Sequence, residues 1–432
     1  MIFEEHLEFL SREALDDLQL ARFKTQLSYV YNHIDFYRKS FDAAGFNPCD
    51  FKSLEDVKKL PFTTKQDLRD AYPNKMFGAK RDDIVRIHAS SGTSGQASIV
   101  GYTQNDLHTW GRMVARAYAL AGLSAQSTIQ VSYGYGLFTG GLGAHFGAET
   151  LGATAVPMST GNTKRQIQFL KDFEVDALAC TPSYALVIAE HLEEMHIDKD
   201  ELSLSRAILG GEPYTEEMRR EIESALGIDC YDIYGLSEIM GPGVACECSE
   251  KHGKHIWEDE FYVEIIDPDT LEVLPDGSWG ELVLTTLSRE CSPVIRYRTR
   301  DISRIIPGVC ACKRQHRRLD KLKGRSDDML VIRGVNVYPS QIESVIQSFE
   351  EVSPFYQIVL YKEGPLDQIS VELELSEGFA LDEIKRIQKV SKRISDALRS
   401  NLQINVKVKI VESRSIERSE GKSRRIIDLR GE

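Results

Sequence analysis

Between about residues 84 and 240 the chain alternates short apolar runs with amphipathic stretches, and this alternation restricts its possible folds more than any other feature. Thr128-Ile129-Gln130-Val131 reads as a strand. Ile167, Leu170 and Phe173 recur as the positions on one face of a helix do. Ala207-Ile208-Leu209 is another strand candidate and runs into Gly210-Gly211-Glu212-Pro213. Strands separated by helices need crossover connections, so the order predicts a layered α/β domain with a largely parallel sheet.

The flanking segments differ. The residues before about 80 read as helical, with Tyr29, Tyr31, Phe36 and Tyr37 as aromatic anchors and Thr64 as the N-cap of a helix through Asp67 and Leu68. Between about 256 and 306 the pattern turns β-rich, as in Val263-Glu264-Ile265-Ile266 and Glu281-Leu282-Val283-Leu284. A boundary is expected at Gly324-Arg325-Ser326-Asp327-Asp328, dividing a large N-terminal domain (1–324) from a small α+β domain (325–432). In the latter, Ile369, Val371, Leu373 and Leu375 alternate as a half-buried strand should, and so do Ile404, Val406, Val408 and Ile410. Ile384, Ile387, Val390, Ile394 and Leu398 mark a helix between them.

A net charge of −13 argues against a nucleic-acid binder, whose affinity rests on neutralising phosphates. No apolar run approaches the ~18 residues of a membrane span, and the start, Met1-Ile2-Phe3-Glu4-Glu5-His6, lacks a signal-peptide pattern. A cytoplasmic location is therefore expected. Eight cysteines in 432 residues do not suggest a disulfide scaffold.

Several clusters could carry chemistry. Ser90-Ser91-Gly92-Thr93-Ser94-Gly95-Gln96 lies between the strand candidates Ile84-Val85-Arg86-Ile87-His88 and Ser98-Ile99-Val100-Gly101-Tyr102. Glycines and hydroxyls there can aim several donors at one polyphosphate, although the same run could be a plain hairpin turn. No helix and no Gly-Lys-Ser/Thr follows, so a Walker-type loop is disfavoured. Gly211-Glu212-Pro213 could face a planar base or simply be a turn. Asp232-Ile233-Tyr234-Gly235-Leu236-Ser237-Glu238 puts an aromatic, a hydroxyl and a carboxylate around a glycine; a Glu beside bound phosphates is a natural Mg²⁺ ligand. Tyr297-Arg298-Thr299-Arg300-Asp301 offers a carboxylate to a ribose, or a surface salt-bridge cluster. Glu420-Gly421-Lys422-Ser423 places a lysine near the C-terminus.

Taken in order, these clusters resemble the adenylate-forming acyl-CoA synthetases, and most of all the phenylacetate–coenzyme A ligase family. Arg86-Ile87-His88-Ala89-Ser90-Ser91-Gly92-Thr93, Tyr133-Gly134-Tyr135-Gly136-Leu137-Phe138-Thr139-Gly140-Gly141, Ile295-Arg296-Tyr297-Arg298-Thr299-Arg300-Asp301 and Gly324-Arg325-Ser326-Asp327-Asp328-Met329-Leu330 carry the resemblance, which extends from about residue 25 to the end. One departure is Gln96, where the family commonly has a lysine beside the pyrophosphate; this puts ATP affinity or rate in question.

The resemblance implies ATP-dependent ligation of an arylacetic acid, phenylacetate first, to coenzyme A through an acyl-adenylate. It implies that Ser91, Gly92, Thr93, Ser94 and Gly95 hold the phosphates, and that Gly211, Glu212 and Pro213 line the adenine beside Tyr234 and Gly235. Asp232 would contact the adenine amino group, and Asp301 and Arg325 the ribose. Ser237 would lie at the α-phosphate, Glu238 would hold Mg²⁺, and Lys422 would bridge the acid and the α-phosphate. Tyr133, Phe138 and Ala144 match the acyl pocket, Asp327 the hinge of a swinging C-terminal domain, and Gly334 the coenzyme A path. Another acceptor, a carrier protein or a deazaflavin coenzyme, stays open as the alternative. Relatives are often dimers, so a homodimer is expected by analogy alone.

Four further residues suggest a metal. Cys248, His255, Cys310 and Cys312 would give three thiolates and an imidazole, a closed tetrahedral set for structural zinc. Reduced, idle thiols are the plain alternative, and Cys246, His252 and His316 are rival ligands.

Overall fold

The computed structural model describes residues 2–90, 98–326, 330–332, 335–363, 366–376, 384–402, 404–419 and 425–430. Chain contacts divide it into two units: Met1–Cys180, Asp200–Gly211 and Asp229–Lys321 form the first, and Thr181–Lys199, Glu212–Ile228 and Leu322–Glu432 the second.

The first unit opens with helices Arg12–His33 and Asp35–Ala43. Their buried face is Leu15, Phe23, Leu27, Val30, Tyr37 and Phe41. Of the four aromatic anchors expected there, Tyr37 alone is fully buried; Tyr29, Tyr31 and Phe36 are half-exposed. Thr64 caps helix Lys65–Asp70 as expected, accepting from the Asp67 amide while Asp67 accepts from Thr64. A hairpin follows, β1 (Arg86–Ala89) against β2 (Ile99–Tyr102), closed by the Ser90 amide donating to the Ser98 carbonyl at 2.9 Å.

The frame of this unit is a nine-stranded sheet. Its strands are β3 (Thr128–Val131), β4 (Thr154–Val156), β5 (Ala177–Cys180), β6 (Arg206–Gly210), β7 (Asp229–Leu236), β8 (Gly241–Glu247), β9 (Lys254–Ile256), β13 (Ile305–Ile306) and β14 (Arg318–Leu319). The neighbours β4-β3-β5-β6-β7 are all parallel, as the strand–helix alternation predicts. From β7 the sheet turns antiparallel through β8 and β9. Buried on both faces, β5 and β6 read as apolar runs without alternation. Helix Thr163–Asp172 buries Ile167 and Leu170, but Phe173 lies just past its end and is 52% exposed, so the expected face is one residue shorter. The β-rich stretch is antiparallel: β10 (Phe261–Ile266) pairs with β11 (Gly280–Thr286), and β11 with β12 (Tyr297–Ser303).

In the second unit, strands Val352–Glu363 and Leu366–Leu375 form an antiparallel ladder, joined in parallel by Ile426–Asp428 and Lys407–Val411 respectively. Ile369, Val371, Leu373, Val390, Ile394 and Leu398 meet in one core with Ile342 and Ile346 of helix Pro339–Ile346, which bears out the two periodicities read from the sequence. Helices Pro182–Glu194 and Glu216–Leu226 belong to this unit too. Arg418 donates to both Glu374 and Glu190, and Arg425 to Glu343, Tyr356 and Ser183.

Candidate active site

Parallel strands place their following loops along one edge of a sheet, where open α/β folds hold ligands. Tyr133 follows β3, Gly211 follows β6, and Ser237 and Glu238 follow β7. Gly211 has φ +86°, a conformation that side chains rarely adopt, which explains a glycine at this turn. Gly235 is required for a different reason: a Cβ there would meet the Gly241 carbonyl oxygen at 2.0 Å.

Two side chains expected at one nucleotide meet. The Tyr234 hydroxyl on β7 donates to Asp301 Oδ2 on β12 at 2.6 Å, and both residues are buried. The Asp301 amide is held by Thr299 Oγ1 at 3.0 Å. Ser237 Oγ lies 2.9 Å from Thr139 Oγ1, at the start of helix Thr139–Leu151. Glu238 is buried and faces Lys65 Nζ at 3.7 Å. Its backbone carbonyl accepts from Arg289 at 3.0 Å.

Asp232 is also held. Lys254 Nζ lies 2.6 Å from its Oδ2, and its amide donates to Glu247 Oε2 at 2.9 Å. In the acyl group of residues, Tyr133 donates to the Ile208 carbonyl at 3.4 Å. Ala144 is buried and its carbonyl accepts from Tyr118, whereas Phe138 is 52% exposed. Within the second unit, Glu212 Oε1 accepts from the Ser183 amide at 2.7 Å, Pro213 is exposed, and Arg325 lies on the short strand Gly324–Arg325. Ser91, Gly92, Thr93, Ser94, Gly95, Asp327, Gly334 and Lys422 lie outside the described residues.

Sequence reasoning missed Lys65, Thr139 and Lys254 as partners of site residues. Lys65 follows a recognisable N-cap and Thr139 lies in a quoted motif, so both had a local signal. Lys254 had none, because its pairing is made only across the sheet.

The sulfur and imidazole ligands expected for a metal do converge. Ligand atoms of Cys248, His255, Cys310 and Cys312 all lie within 4.8 Å of one another. Cys248 Sγ and Cys310 Sγ are 3.7 Å apart, matching the edge of about 3.8 Å that Zn–S bonds of about 2.3 Å make in a tetrahedron. His255 Nε2 is 3.2 Å from Cys312 Sγ, while Nδ1 donates to the His316 carbonyl, which assigns the tautomer that turns Nε2 inward. The hydrogen bond between Cys248 and Cys312, aided by His255, holds the Cys312 thiol far below its ordinary value and pushes the Cys248 thiol above it. The rivals are engaged elsewhere. Cys246 faces the Ala117 carbonyl, His252 Nδ1 meets Arg318, and His316 uses Nδ1 for the Glu258 amide and Nε2 for the Leu7 carbonyl.

The comparisons with known proteins identify the family. A family model described as AMP-binding enzyme matches residues 40–287, and one described as AMP-binding enzyme C-terminal domain matches 334–430. Fold and site thus define an enzyme of the adenylate-forming class. The phenylacetate–coenzyme A ligase of Escherichia coli (strain K12) is 51% identical over 98% of this chain and 97% of its own length. That of Thermus thermophilus is 46% identical over 100% of both. A crystal structure of 2-hydroxyisobutyryl-CoA ligase in the postadenylation state, complexed with 2-HIB-AMP, is 29% identical with a TM-score of 0.93, covering 99% of this chain and 92% of that one. The chain belongs to the phenylacetate–coenzyme A ligase family. Among the described residues no helix is long and apolar enough to cross a membrane.

Proposed function

We propose that this enzyme joins phenylacetate to coenzyme A in two half-reactions. The carboxylate attacks the α-phosphorus of ATP, giving an acyl-adenylate and pyrophosphate. The thiol of coenzyme A then attacks the acyl carbon and AMP leaves. A free carboxylate would have to expel oxide, so adenylation supplies the leaving group. The match to phenylacetate–coenzyme A ligases along 98% of the chain carries this reading.

The residue roles are read from the motifs. Ser91, Thr93 and Ser94, with Gly92 and Gly95, take the β- and γ-phosphates. Gly211, Glu212 and Pro213 line the adenine with Tyr234, and Asp232 accepts from its amino group. Asp301, oriented by Tyr234, takes the ribose hydroxyls with Arg325. Ser237 sits at the α-phosphate. Glu238 would hold Mg²⁺, whose charge offsets that of the phosphates. Lys422 stabilises charge as the acid attacks and withdraws when the C-terminal domain (325–432) turns about Asp327, bringing Gly334 to the coenzyme A path. Tyr133, Phe138 and Ala144 form a flat acyl pocket suited to an aromatic ring.

Cys248, His255, Cys310 and Cys312 would hold Zn²⁺, which braces the fold and takes no part in the chemistry. Both ATP and coenzyme A are cytoplasmic metabolites, so we place the reaction there.

The test is product analysis with phenylacetate, ATP and Mg²⁺, with and without coenzyme A. The expected result is one AMP per phenylacetyl thioester, with sustained turnover only when coenzyme A is present. AMP turnover supported instead by a carrier protein or a deazaflavin coenzyme would replace this reading with the alternative acceptor.

A further inference from the structure

Lys254 is nearly inaccessible, at 2% exposure, an unusual place for an ammonium. Its Nζ reaches Asp232 Oδ2 at 2.6 Å, and the Asp232 side chain is itself 17% exposed. The two residues sit two strands apart. Lys254 on β9 is the register partner of Glu247 on β8, and Glu247 Oε2 accepts from the Asp232 amide on β7 at 2.9 Å. Cross-strand partners share a face of the sheet, so Glu247 and Lys254 stand side by side. Asp232 is thus fixed at its backbone by Glu247 and at its carboxylate by Lys254.

We propose that Lys254 is a positioning residue that sets the enzyme's preference for adenine. This rests on the reading of Asp232 at the purine 6-position. A carboxylate paired with an ammonium can only accept hydrogen bonds. It therefore welcomes a 6-amino group and repels a 6-oxo group, provided its oxygen is held in place. Lys254 takes one oxygen and so fixes the rotamer that turns the other.

The readout is the ratio of kcat/KM for ATP to that for inosine triphosphate in acid-dependent pyrophosphate release. A merely structural role would lower both values together and leave the ratio alone. Lys254→Met should reduce the ratio by about tenfold or more, because hydrogen-bond matching carries such discrimination. Lys254→Gln retains a donor and avoids leaving the half-buried carboxylate without any partner, so it provides a folded variant if Met does not. It should reduce the ratio by about threefold or more. An unchanged ratio in either folded variant overturns the proposal. Asp232→Ala separates the two layers of the argument. If it too keeps the wild-type ratio, Asp232 is not at the base and the underlying reading fails. If it loses the ratio while both Lys254 variants keep it, the site reading stands and the role of Lys254 is refuted.

Discussion

The Tyr234 hydroxyl and the Asp301 carboxylate form a 2.6 Å hydrogen bond that joins the nine-stranded sheet to the antiparallel β10–β12 layer. Both groups are buried, at 7% and 6% exposure, so the bond is shielded from water, and with Asp301 ionised it is charge-assisted. It does two things at once: it ties two layers together and it aims a carboxylate. Tyr234→Phe should cost about 1.5–3 kcal/mol of stability, the range for hydrogen bonds to charged groups. It should also raise KM for ATP by about tenfold, with a smaller change in kcat, since the loss is in binding the ribose. Urea unfolding and steady-state kinetics with ATP varied check the two effects separately.

Lys422 is assigned to the first half-reaction only. Lys422→Ala should slow adenylate formation by about 10²–10³-fold, as removal of one preorganised charge does elsewhere. Thioester formation from supplied phenylacetyl-adenylate should be largely spared. Single-turnover assays of each half-reaction decide it; equal losses in both would contradict the division of labour.

The cysteine cluster makes a separate prediction. The purified protein should carry about one zinc per chain, as four ligands in a closed set imply. Cys310→Ser should lose most of that metal and lower the melting temperature, and chelation of the wild type should do the same without changing adenylate formation once Mg²⁺ is restored. Elemental analysis and thermal unfolding provide the check. Wild-type protein prepared without chelator and lacking zinc would leave the four residues as idle thiols and an imidazole.

Much of this was legible in the sequence, for identifiable reasons. Strand–helix alternation is a local property, so the parallel sheet was readable from runs such as Ala207–Leu209. The convergence of Cys248, His255, Cys310 and Cys312 was readable because few other arrangements use three thiols and a histidine; what needed coordinates was the reason the rival His316 stands aside. Only there is it seen that both nitrogens of His316 are already occupied. Phe173 misled because periodicity does not say where a helix stops; the chain leaves the helix at Asp172 and the ring turns to solvent. Lys254 was invisible because a buried cation is explained only by its partner, Asp232, which lies two strands away.

In the second unit, Glu374 predicts a pH dependence. Burial alone would push its carboxyl up, but hydrogen bonds from Arg418 and from the Ile416 amide hold it below the ordinary value. A depressed folded-state value contributes stability that is fully present above the unfolded value of about 4.3 and is lost as pH falls through the folded one. Glu374→Gln should therefore cost about 1.5–3 kcal/mol at pH 7 and flatten the acid limb of the stability curve. Urea unfolding at pH 7 and pH 3 measures both; an equal loss at the two values would contradict the role of the ion pair.

The central claim is that an acyl-adenylate forms before coenzyme A enters. Exchange of labelled pyrophosphate into ATP tests it most directly. With phenylacetate and Mg²⁺ present and coenzyme A absent, label should enter ATP, and omitting the acid should stop it. Protein that makes thioester yet shows no exchange until coenzyme A is added would contradict the account.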